Sequence, residues 1–142
     1  MNDPRVLWQI MTAGRRIEER LENALEETGL SLAKLNALKY LVEADGPLAL
    51  GHLAEKIECV KSNVTQLVDR LENEGLVRRM PDPSDRRGVL AAVTDLGLER
   101  YSVGARALAG AEAELTAELP DDQRTLLTEL LTSLTGGAAQ RD

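Results

Sequence analysis

The sequence predicts a mainly α-helical fold that carries one small β wing. Three observations predict it. Leucine and alanine dominate, Phe is absent, and β-branched runs are confined to the wing. Val64, Leu67, Val68 and Leu71 recur at three- and four-residue steps, the mark of a helix with one buried face. Two short β-rich runs, 76–80 and 89–93, flank the turn Pro81-Asp82-Pro83-Ser84-Asp85.

Each element has its own local reason. A first helix is expected over about 3–28, with Asn2 or Asp3 as cap, Pro4 in its first turn and Gly29 at its end. Leu7, Ile10, Met11, Gly14, Ile17, Leu21 and Leu25 line one face of it. Ser31 caps a second helix that turns Leu32, Leu35, Leu38, Leu41 and Val42 inward, and Asp45-Gly46-Pro47 breaks it. Residues 48–50 suit a short strand against the wing. A helix over about 51–57 buries Leu53, Ala54 and Ile57, and the helix over about 61–74 ends at Gly75. Thr94 caps a long helix to about 118. Leu119-Pro120-Asp121-Asp122 breaks that helix and starts the last one, its two acids facing the positive end of the helix dipole. The last helix carries Leu126, Leu127, Leu130, Leu131 and Leu134, and a frayed tail is expected from Gly136.

Two helices joined by a tight turn and followed by a charged hairpin make a winged helix-turn-helix. Opposite the apolar stripe of the second helix lie Ser62, Thr65, Gln66, Asp69 and Asn73. Short hydrogen-bonding side chains braced by an apolar face suit a helix laid in the major groove, so double-stranded DNA is the expected partner. Lys61, Ser62, Asn63, Thr65 and Gln66 occupy its first turn and a half, the part that reaches base edges. Gln66 suits adenine, the hydroxyls serve base or phosphate, and Lys61 meets a phosphate. Arg86 and Arg87 follow a turn held by two prolines, and a guanidinium at such a tip suits a narrow minor groove. Asp85 is placed to orient Arg87, and Asp69 or Arg70 to tie the wing to the helix.

A net charge of −7 counts against DNA binding until it is located. From Gly51 to Leu90 the basic residues are Lys56, Lys61, Arg70, Arg78, Arg79, Arg86 and Arg87. Seven acids balance those seven: Glu55, Glu58, Asp69, Glu72, Glu74, Asp82 and Asp85. The surplus therefore lies in the flanking helices, and phosphate binding depends on the local field because the Debye length at physiological salt is only about 8 Å. That disfavours a sequence-blind DNA coat and leaves a sequence-specific regulator standing.

Other functions lack their residues. One histidine, His52, and one cysteine, Cys59, make no zinc set, no glycine-rich phosphate loop is present, and the carboxylates are scattered over helix faces. Neither an enzyme nor a cofactor is expected. No apolar run nears the roughly 20 residues of a membrane span, and MNDPRVLWQIM lacks a signal-peptide pattern, so a cytoplasmic protein is expected. Cys59 has two readings. It is a small buried hydrophobe, or an oxidation sensor whose thiol Lys56 and Lys61 would acidify. The first and last helices carry more apolar surface than a small lobe can cover. They pack as an intramolecular bundle or interlock in a two-fold homodimer.

Four blocks, LAEKI, KSNVTQLVDRLENEGLVRR, DPSDRR and VTDLG, stand in the order and spacing of a known family. In them the chain resembles the MarR-type transcriptional regulators; the flanks resemble that family in helical pattern and length. The resemblance implies one domain over 1–142, with a DNA-binding lobe at about 31–94 and dimerisation helices at about 3–28 and 95–135. It also implies a homodimer on a pseudo-palindromic operator, here a repressor relieved by a small ligand. The alternative is a helical protein–protein adaptor that keeps the shape without operator binding. By resemblance Arg87 is the groove residue and Arg86 an internal ion pair. Aromatic acids or phenols would bind between dimerisation helices and lobe, with Trp8, Met11, Arg15, Tyr40 and Leu41 as candidate lining. Redox members of the family sense through a first-helix cysteine, which this chain lacks. It also departs from the family at the inter-helix turn. Glu58 replaces the usual Gly and Val60 the usual Ser cap, so turn and cap must be made differently.

Overall fold

Helix ends lie where orphan backbone groups find partners. The computed structural model describes residues 5–58 and 61–136, excluding the side chains of Lys61 and Ser62. The proposed caps Asn2 and Asp3, with Pro4, Cys59, Val60 and the tail from 137, fall outside the described residues.

Helix α1 (Arg5–Leu25) tightens into a 3-10 turn, Glu26–Thr28, ahead of Gly29. Helix α2 (Leu32–Glu43) starts at Ser31, whose Oγ accepts the N–H of Lys34 at 3.2 Å. Glu22 reaches the same terminus from α1, its Oε1 accepting the N–H of Leu32 at 3.0 Å. A carboxylate there satisfies an orphan donor and meets the positive end of the helix dipole. Local pattern reveals the serine cap; the glutamate comes from another helix.

Strand β1 (Leu48–Ala49), α3 (Leu50–Lys56), α4 (Lys61–Asn73), β2 (Val77–Asp82) and β3 (Asp85–Val93) complete the lobe. The expected strand at 48–50 keeps two residues, because Leu50 already starts α3. The sheet is antiparallel in the order β1-β3-β2, with Leu48 opposite Ala91 and Val77 opposite Val93. Leu35, Leu38 and Leu41 of α2 are buried with Leu53 of α3, with Val64, Val68 and Leu71 of α4, and with Leu76, Val77 and Ala91. Burying each such leucine or valine contributes roughly 1.5–3 kcal/mol, so α4 is held from behind.

The end of α4 is built closely. Gly75 has φ 77°, which an L side chain resists. The N–H of Leu76 donates to Leu71 O and that of Gly75 to Glu72 O, the paired bonds of a Schellman end. The wing then returns to this point. Thr94 Oγ1 donates to Gly75 O at 2.6 Å and accepts the N–H of Gly97 at 3.0 Å, capping α5 (Asp95–Leu115). A Cβ on Gly97 would overlap the Leu76 carbonyl oxygen and press on Val93 Cγ2. The glycine of VTDLG is thus a close-approach position. Helix α5 stops at Leu115, short of the expected 118, where Thr116 bonds back to Glu112 and a turn begins.

The chain divides into two compact units, 1–108 and 109–142, with the boundary inside α5. In the first unit Val6, Leu7, Trp8 and Met11 of α1 are 53–65% exposed. In the second, α6 (Asp121–Leu134) leaves Leu126, Leu127, Leu130, Leu131 and Leu134 43–62% exposed. No helix among the described residues is long and apolar enough to cross a membrane.

Candidate nucleic-acid interface

Helix α4 presents Asn63, Gln66, Asp69, Arg70 and Asn73 to solvent, while Val64, Val68 and Leu71 opposite them are wholly buried. Thr65 is half-buried beside that face. The predicted two-sided helix is therefore present, and its steps of three and four residues hold Asn63, Gln66 and Arg70 on one side. Lys61 and Ser62 start α4, but their side chains lie outside the described residues.

The turn before α4 shows how the family glycine is replaced. Glu58 itself adopts φ 52°, the sole non-glycine residue with positive φ among those described. Its N–H donates to Glu55 O at 3.2 Å and that of Ile57 to Leu53 O at 3.0 Å. A side chain in the left-handed region costs about 1–2 kcal/mol, which the buried faces of α3 and α4 offset.

The wing corrects the expected boundaries. β2 runs on to Asp82 and β3 begins at Asp85, leaving Pro83-Ser84 as the turn in place of the five residues expected. Pro81 sits inside β2 opposite Val89, which is tolerated because β2 is an edge strand. Asp82 faces Asp85 and the register then shifts, so residues 86–88 form a bulge. Arg86 and Arg87 lie in that bulge and not at a turn exit. Side-chain bonds cause it. Asp82 Oδ1 accepts the Ser84 N–H at 2.9 Å and its hydroxyl at 2.7 Å, and Asp85 Oδ1 accepts the Arg87 N–H at 3.0 Å. The Ser84 hydroxyl, followed by the Ser84 amide, holds the Asp82 carboxyl below the usual carboxylate range. Asp85 thus orients Arg87 through its backbone, leaving the guanidinium outward.

Both bulge arginines are exposed. Arg86 makes no internal ion pair among the described residues, contrary to expectation. That role falls to Arg79. Its Nη1 pairs with Asp69 and lies 3.4 Å from Glu72 Oε1, and its Nη2 donates to the carbonyl of Thr65 at 3.1 Å. Its backbone N–H donates to Glu72 Oε2 at 2.9 Å. Sequence reading counted Arg79 only as a charge. The missed signal was strand alternation, which puts Arg79 on the same face as the buried Val77. Asp69 does tie wing to helix, as expected, while Arg70 points to solvent.

The candidate ligand residues lie on α1 and α2. Trp8, Met11 and Arg15 share one exposed face of α1, and a shallow groove runs beside Trp8 between Arg5, Gln9, Thr12 and Arg16. Tyr40 is half-buried on α2, with the ammonium groups of Lys39 and Lys56 5.5 and 5.9 Å from its ring centre. Leu41 is only 3% exposed and belongs to the core. An inward position two residues before the end of α2 made it a core residue from the start.

A helix-turn-helix with a buried brace, an open polar face and a basic hairpin defines a winged-helix regulator. The MarR family model matches residues 30–89. An HTH-type transcriptional regulator of Bacillus subtilis, YcgE, is 34% identical over 116 residues, 82% of this chain and 72% of that one. The B. subtilis HTH-type transcriptional repressor MdtR is 28% identical, covering 90% of this chain and 81% of its own. The crystal structure of Sco3205, a MarR family transcriptional regulator from Streptomyces coelicolor in complex with DNA, superposes with TM-score 0.86. It is 27% identical and covers 97% of this chain and 88% of that one. The chain belongs to the MarR family. It is a DNA-binding transcriptional regulator and not an enzyme.

Proposed function

We propose that this protein is a homodimeric repressor that lays α4 in the major groove of a pseudo-palindromic operator and releases it on binding a small aromatic acid or phenol. The observation that carries this reading is the open face of α4, where Asn63, Gln66 and Arg70 are exposed over a buried Val64, Val68 and Leu71. Asn63, Thr65, Gln66 and, from the helix start, Lys61 and Ser62 read bases and phosphates; Arg70 and the Arg86–Arg87 bulge contact the flanking backbone and minor groove. Dimerisation through the terminal helices is supported by the uncovered leucines of α6 and by Val6, Leu7, Trp8 and Met11 of α1. Two-fold symmetry then sets the two α4 helices about one DNA turn apart, roughly 34–36 Å. Repression is supported by similarity to MdtR. The ligand is taken against Trp8, Met11 and Arg15, where an exposed indole and guanidinium suit an aromatic anion.

The test is selection of DNA from a random pool by the purified protein. An imperfect palindrome with half-sites about 10 bp apart is expected. Recovery of unrelated fragments at equal affinity would overturn sequence-specific binding.

A further inference from the structure

We infer that Arg79 is the positioning residue that sets the wing against the recognition helix and so decides where Arg86 and Arg87 meet DNA. This rests on the DNA-reading role proposed for α4 and the wing. The need for such a residue follows from the sheet. β1 pairs with β3 at only two levels, Leu48 with Ala91 and Ala49 with Leu90. Beyond Leu90 the wing is a two-stranded ribbon of β2 and β3, broken by the bulge at 86–88. A two-stranded ribbon twists readily and has little stability of its own. Its direction must be set at its base.

Arg79 sits at that base, opposite Ala91 and therefore level with the Leu48 pairing on the far side of β3. It is on the free edge of the sheet, and α4 supplies the partners that a further strand would supply. The guanidinium spans the Thr65 carbonyl, the Asp69 carboxylate and the Glu72 carboxylate, while the Arg79 N–H holds the other Glu72 oxygen. Thr65, Asp69 and Glu72 cover two turns of α4, so the contact fixes the strand's direction as well as its distance. The side chain is 25% exposed, which limits screening of the pairs. A planar fork with five donors fits these partners; an ammonium cannot hold them together.

The same contact has an electrostatic consequence. Asp69 and Glu72 are 51% and 41% exposed, on the helix proposed to enter the groove. Arg79 neutralises charge that would otherwise repel DNA.

Hydroxyl-radical footprinting on DNA selected by the wild-type protein tests the inference. Protection of guanine N7 from dimethyl sulfate on the same fragments reports α4 in the major groove, and hydroxyl-radical protection of the flanking minor groove reports the wing. Arg79→Gln should lose flank protection and about tenfold in affinity while keeping the major-groove pattern and the ranking of base substitutions there. Arg79→Lys should rescue little of the flank protection. Asp69→Asn combined with Arg79→Gln, which removes one of the two bared carboxylates as well as the clamp, should recover part of the affinity on random DNA but not the flank protection. If Arg79→Gln fails to fold by circular dichroism, Arg79→Lys and Asp69→Asn carry the same readout. Unchanged flank protection in a folded variant overturns the inference, as does parallel loss of both footprints. Wild-type protein that protects no DNA overturns the reading beneath it instead.

Discussion

The hydroxyl of Thr94 joins the start of α5 to the end of α4, donating to Gly75 O at 2.6 Å while accepting the N–H of Gly97 at 3.0 Å. One side chain thus closes the last turn of the recognition helix and caps the next helix. Thr94→Val keeps the shape and loses both bonds. A cap alone is worth about 0.5–2 kcal/mol, so a fall of several degrees in melting temperature is expected, with Thr94→Ser close to wild type. An unchanged melt for the valine variant would refute the double role.

Gly97 should tolerate no side chain at all. Its Cβ position is occupied by the Leu76 carbonyl, a backbone atom that cannot rotate away, with Val93 behind it. Gly97→Ala should cost roughly 2 kcal/mol or more, in the range of overpacked cores, and appear largely in the insoluble fraction. A soluble variant with wild-type melting would show that α5 shifts freely against the wing.

Glu58 offers a change in the other direction. Its φ of 52° carries strain that glycine does not. Glu58→Gly should raise stability by up to about 1 kcal/mol in urea unfolding, net of the extra entropy glycine gives the unfolded chain. Lower stability would mean that the Glu58 side chain contributes more than its backbone costs.

Reading by α4 and reading by the wing should separate in binding experiments. Gln66→Ala should relax preference at one base position, at about 1–3 kcal/mol; equal losses on all sequences would place Gln66 on the backbone. Arg87→Ala should weaken binding most where the flanks are A·T-rich, because a narrow groove concentrates negative potential. Equal losses on G·C-rich flanks would reduce Arg87 to a general phosphate contact.

The exposed leucines of α6 make a prediction about assembly. Sedimentation at low micromolar concentration should give about twice 15.5 kDa. Leu130→Glu, at a position 54% exposed in the single chain, should shift the protein toward monomer or aggregate without altering the lobe's helices. A stable 15.5 kDa wild-type species would exclude the dimer.

Much of this fold is legible in the chain because its signals are local. The period of Val64, Val68 and Leu71, the Ser31 and Thr94 caps and the Gly75 stop each act within one or two turns of helix, so residue spacing alone determines them. The open stripe of α4 follows from the same period. The bulge at 86–88 is local too, because Asp82 and Asp85 each accept an N–H two residues on, in competition with the ladder, although residue spacing alone did not reveal it. Two features were decided only by the tertiary structure. The second cap of α2 comes from Glu22, ten residues away on another helix. Arg79, and not Arg86, became the internal ion pair because only packing β2 against α4 brings it to Asp69 and Glu72. Spacing along a chain determines which face a residue occupies; which charge it meets there depends on how two elements dock.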